Sequence, residues 1–149
     1  MRGLPRLLYR RDAVTNNYPR VAVVDDEEPV RKALMRLMRS AGLSVETFGS
    51  GAEFLQSLET RLPSCVVLDL HMPDMNGFTV QAHLARNYDA LPVIIFTGHD
   101  LPSARERAMA GGASAFLRKP AHDRTLLDAI SVATASAELV GHVPGLDFI

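Results

Sequence analysis

Five polar residues stand where short apolar runs end. Asp25 and Asp26 follow Val21–Val24, Asp69 follows Cys65–Leu68, Thr97 follows Val93–Phe96, and Lys119 closes Ala115–Arg118. Brought together, three carboxylates repel one another, and one ammonium cannot neutralise them. A divalent cation can. The donors are hard oxygens, which suit Mg2+, with Mn2+ as a substitute. The single cysteine and the five histidines show no zinc-type spacing. A cation held by carboxylates beside a threonine hydroxyl and a lysine would neutralise a phosphoryl group. A carboxylate can also be the nucleophile that forms an aspartyl phosphate. Asp69 is the candidate, because it alone follows the central buried run. Lys119 is one of two lysines in an arginine-rich chain, which suggests that a compact ammonium is needed there.

The elements that carry these residues follow from the hydrophobic pattern. Val21–Val24, Cys65–Leu68 and Val93–Phe96 are continuous apolar runs, as buried parallel strands require. Residues 43–48 and 115–117 read as two further strands. Between them lie helical stretches. Pro29 opens one in which Val30, Ala33, Leu34, Leu37 and Met38 recur at helical spacing before Gly42. Ser50 to Glu53 fits a capping box. Helices are also expected over 78–87, 103–110 and about 123–135. Five strands alternating with five helices imply an α/β doubly wound parallel sheet. In such sheets ligands bind beyond the carboxyl ends of the strands, where the five polar residues sit.

The chain has 149 residues, 47% hydrophobic and 22% charged, with a net charge of −1. This fits one globular domain and argues against a strongly basic nucleic-acid binder. A lone cysteine forms no intrachain disulfide, and no apolar run spans a bilayer. Residues 1–20 carry five arginines and one aspartate, +4 of that total, which leaves the remainder at −5. The expected organisation is a basic extension over 1–19, a domain over 20–136 and a short tail over 137–149 with no output domain.

Four segments together are specific: Val-Val-Asp-Asp at 23–26, Val-Leu-Asp-Leu-His-Met-Pro-Asp-Met-Asn-Gly at 67–77, Ile-Phe-Thr-Gly-His at 95–99 and Phe-Leu-Arg-Lys-Pro at 116–120. In this order, each at a strand end, they resemble the receiver domain of two-component response regulators. Thr-Gly-His is similar to the FixJ-like subgroup. The resemblance implies a flavodoxin-like sheet of strand order 2-1-3-4-5 and a cytoplasmic signalling domain rather than an enzyme. It implies that Asp69 accepts a phosphoryl group from a sensor histidine kinase or phosphotransfer protein. Asp26 would bind Mg2+ directly, Asp25 through a water, and His71 through its backbone carbonyl. Thr97 and Gly98 would meet the phosphoryl group with Lys119, Phe116 would swing inward, and the loop from Gly98 to Pro102 would shift. The Lys119–Pro120 bond would be cis. The output would be a downstream protein or a phosphorylation-dependent homodimer, with no direct DNA or membrane binding by this chain. The rival reading is a Mg2+-dependent aspartyl-phosphate hydrolase of haloacid-dehalogenase type. Against it, Asp69-Leu70-His71 lacks that family's second aspartate.

Overall fold

A computed structural model describes residues 19–98 and 102–142, with side chains in the last helix as far as Ala135. Most of the basic extension, His99 and residues 143–149 lie outside the described residues. Strands and helices alternate throughout: β1 (Arg20–Val24), α1 (Glu28–Ser40), β2 (Ser44–Phe48), α2 (Gly51–Ser57), β3 (Cys65–Leu68), α3 (Gly77–Asn87), β4 (Val93–Thr97), α4 (Ala104–Ala110), β5 (Ala115–Arg118) and α5 (Asp123–His142). The strands form one parallel sheet in the order β2-β1-β3-β4-β5.

Alternation along the strands divides the core in two. Ala22, Val24, Val66, Leu68 and Ile95 face a cluster with Phe54, Val80, Leu84 and Ala108 from α2, α3 and α4. Val21, Val23, Cys65, Val67 and Ile94 face Leu34, Met38, Leu126 and Ile130 from α1 and α5. Burial on both faces explains why the central strands read as unbroken apolar runs. Each fully buried large side chain, such as Phe54 or Met38, adds roughly 1.5–3 kcal/mol.

Local chemistry sets the helix ends. Ser50 accepts the Glu53 N–H at 3.2 Å and Asn76 accepts that of Thr79 at 3.0 Å, each capping its helix. Gly42, at φ +85°, ends α1 in the left-handed region that a residue with a Cβ avoids. One expected boundary moves. α5 continues to His142, beyond the expected helix end at about Ala135. Ser136 to Val140 contains neither glycine nor proline, and its Ala, Glu and Leu favour continuation.

Candidate functional site

The parallel arrangement places the carboxyl ends of β1, β3, β4 and β5 along one edge. Ladder-like bonds continue past the strands and fix the residues there. The Asp25 N–H donates to Phe48 O, that of Asp69 to Val24 O and that of Lys119 to Thr97 O, at 3.1, 3.0 and 2.9 Å. Carboxylate oxygens of Asp25, Asp26 and Asp69 consequently lie within 4.8 Å of one another. This all-oxygen set suits a hard divalent cation.

The two acids from β1 diverge in environment. Asp25 is 2% exposed. Its Oδ1 accepts the Glu27 N–H at 2.9 Å, and its Oδ2 accepts from Lys119 Nζ at 2.6 Å. Asp26 is the more open of the pair. Arg31 donates to the Asp25 carbonyl at 2.7 Å, with its guanidinium resting against Gly49. Arg31 is not one of the apolar positions that mark α1, and no spacing rule points to this contact.

Asp69 is 4% exposed. Burial, above all, pushes its carboxyl above the usual carboxylate range, and nearby Asp25 adds to this. Lys119, the Thr97 hydroxyl and the His71 N–H oppose the rise without cancelling it. Lys119 Nζ lies 3.6 Å from Asp69 Oδ2. Burial alone would lower the Lys119 ammonium, but its bond to Asp25 and the charges of Asp25, Asp69 and Glu27 hold it above its ordinary value.

The remaining expected residues surround this cluster. Thr97 is fully buried and bonds the Asp69 carboxylate. Gly98 lies beside the Lys119 stem, its Cβ direction 3.6 Å from Lys119 Cδ. His71 is exposed, and its N–H points to Asp69 Oδ1 at 3.4 Å. Lys119–Pro120 is cis. Phe116 is turned inward at 7% exposure, its carbonyl accepting from Arg105 at 3.4 Å. Of the expected loop from Gly98 to Pro102, residues 99–101 lie outside the described residues. Two open depressions of about 410 and 800 Å³ lie at the opposite edge, around Pro92, and include none of these acids.

A doubly wound parallel sheet with an acidic cluster, a hydroxyl and an ammonium at its carboxyl edge defines an α/β domain whose site could hold a divalent cation. Residues 21–131 match the family model described as the response regulator receiver domain, and the chain belongs to that family. It is 47% identical over 115 residues to nodulation protein W of Bradyrhizobium diazoefficiens, covering 76% of this chain and 50% of that protein. It is 40% identical over 114 residues to the response regulator protein TodT of Pseudomonas putida, with 76% and 50% coverage. The chain thus spans about half the length of these curated relatives. Among solved structures, a response regulator receiver protein from Burkholderia phymatum matches at TM-score 0.71 and 43% identity, covering 78% of this chain and 95% of that one. FixJ-N matches at TM-score 0.74 and 35% identity, covering 80% and 95%. The chain is therefore a receiver domain, a signalling module of two-component systems. Receiver domains interact with histidine kinases or phosphotransfer proteins and typically use Mg2+. Nothing in these matches supports the hydrolase reading. Among the described residues no helix is long and apolar enough to cross a membrane.

Proposed function

We propose that this receiver domain takes a phosphoryl group onto Asp69 from the phosphohistidine of a cognate sensor kinase or phosphotransfer protein. The observation that carries the reading is the gathering of Asp25, Asp26 and Asp69 within 4.8 Å, with Lys119 Nζ bonded to one and beside another. In the transfer a carboxylate oxygen of Asp69 forms the new P–O bond. The P–N bond of the donor breaks, and its electron pair stays on the imidazole. Asp69 must be ionised to attack, and Lys119, Thr97 and His71 favour that form against the cost of burial.

Asp26 and Asp69, with Asp25 through a water and the His71 carbonyl, would hold Mg2+ or Mn2+. The bound cation would supply neutralisation of the phosphoryl oxygens. Lys119 would screen the same charge from the β5 side, and Thr97 would donate to a phosphoryl oxygen. A phosphoryl group on Asp69 adds charge and acceptors that compete for both. Phe116 is already turned inward without a phosphoryl group, so the movement of Lys119 and Thr97, rather than a swing of this ring, would alter the surface of α4, β5 and α5 for a downstream partner or a second copy. Cytoplasmic location follows from the kinase partner.

Intact mass measurement with acetyl phosphate and Mg2+ tests the acceptor. The natural protein is expected to gain a single phosphoryl group and Asp69→Asn none. Full labelling of Asp69→Asn would overturn the assignment.

A further inference from the structure

Gln81 sits on the buried face of α3, one turn from Leu84, and is 3% exposed. A buried amide must find partners. Its Nε2 donates to Ala108 O, in the last turn of α4, at 2.7 Å. The same carbonyl accepts the Ala113 N–H at 3.1 Å, while Gly112 adopts φ +102°. This is the six-to-one closure that ends a helix at a left-handed glycine. The Gln81 amide rests on Gly111, where a Cβ would lie 3.0–3.1 Å from three of its atoms. Beside it, the Arg107 guanidinium carbon is 3.9 Å from the centre of the Phe78 ring, again joining α4 to α3.

The other end of α4 is held differently. Ser103 precedes it at φ +63°, a left-handed conformation costly for a residue with a Cβ, and its side chain caps nothing. The first half packs the small Ala104 into the core and reaches β5 through Arg105, whose Nη1 is 3.4 Å from Phe116 O. The platform itself is anchored to Asp69: Gly77, which opens α3, lies so close that a Cβ there would be 2.4 Å from the Asp69 carbonyl.

We infer that Gln81 is a positioning residue that clasps the last turn of α4 to α3, so that switching pivots α4 about Ala108–Gly111 instead of translating it. The clasp is a property of the unphosphorylated chain. The pivot rests on the proposed phosphorylation of Asp69. Anchored through Gly77, α3 stays with the acceptor while the first half of α4 follows the end of β5, to which Arg105 ties it.

Two measurements on the full chain separate these parts. At φ −81°, Gly111 takes a side chain without backbone strain, and the nearest atoms that oppose one are those of the Gln81 amide. Gly111→Ala is therefore expected to lower the melting temperature by a few degrees in the natural background and to leave it unchanged or raise it in Gln81→Ala. Gln81→Met serves the same purpose should the alanine variant not fold. Equal effects in both backgrounds would overturn the clasp. Hydrogen exchange is then compared with and without Mg2+ and beryllium fluoride, a phosphoryl mimic. The expected result is altered exchange over residues 103–106 with 107–113 unchanged, spreading into 107–113 in Gln81→Ala. Uniform change along α4 in the natural protein would overturn the pivot while Asp69 still takes label from acetyl phosphate. Loss of that label would instead sink the acceptor reading and leave the melting-temperature reversal standing.

Discussion

Lys119 is bonded to Asp25 more closely than to Asp69: its Nζ is 2.6 Å from Asp25 Oδ2 and 3.6 Å from Asp69 Oδ2. In the absence of a metal ion the ammonium is therefore the counterion of the first-strand acid. Removing one partner of a buried pair leaves an uncompensated charge, at a cost of about 3 kcal/mol. Lys119→Ala should lose roughly that much metal-free stability in urea melts. Because a competing cation is gone, it should also bind Mg2+ several-fold more tightly by calorimetry, while gaining label from acetyl phosphate more slowly. Weaker Mg2+ binding in this variant would contradict the competition.

Asp26 has the opposite expected signature. It is the most open of the three acids, and its charge adds repulsion to the cluster. Asp26→Ala should leave metal-free stability unchanged or raised, while Mg2+ no longer raises the melting temperature. For the natural protein, Mg2+ at 100 times its Kd would add about 2.7 kcal/mol. A clear loss of metal-free stability in the variant would assign Asp26 a structural role.

Two glycines support the loop that carries Asp69, and they should differ in tolerance. At Gly77 a Cβ would lie 2.4 Å from Asp69 O and 2.7 Å from Leu70 Cα, both backbone atoms. At Gly51 the first obstacle is Val80 Cγ2 at 2.6 Å, followed by Met75 Sδ at 3.1 Å. Side chains can rotate aside, whereas the backbone beside Asp69 cannot move without displacing the carboxylate. Gly77→Ala is expected to cost about 3 kcal/mol and to impair labelling, and Gly51→Ala about 1 kcal/mol with labelling retained. Urea melts beside mass labelling check both.

Much of the site was legible because a parallel strand buried on both faces is an uninterrupted apolar run, and its carboxyl end is where polar residues are exposed to a ligand. Asp25, Asp69, Thr97 and Lys119 are found by that rule alone. The strand order came from the family resemblance, since periodicity carries no information about which strands are neighbours. Nor does it carry contacts between distant elements. That Lys119 leans on Asp25, that Arg31 reaches the Asp25 carbonyl, and that Gln81 seats on Gly111 all depend on how helices pack. A signal for Gln81 did exist: it lies four residues after Gly77 and three before Leu84, on the helix face that must be buried. The end of α5 was missed because Ser136–Val140 contains no local stop.

Cys65 offers a readout of the sheet that does not involve the acids. It lies in β3 opposite Val21 and is fully buried. Burial pushes its thiol up from 9.0 to about 12, since no nearby charge offsets the lost hydration of the thiolate. A folded-state value above the unfolded one means that the fold favours the neutral thiol. That contribution is complete below the unfolded value and is lost as pH rises from about 9 towards 12. The loss approaches about 1.4 kcal/mol per pH unit within that window. Between pH 9 and 10.5 the urea stability of the natural protein should therefore fall more steeply than that of Cys65→Ala, which retains every other titrating group. Below pH 9 the two slopes should coincide. Alkylation by iodoacetamide at pH 8 should proceed only through unfolding, at a rate that rises with urea. Rapid modification of the native protein would show that β3 opens locally and is not the rigid centre of the sheet.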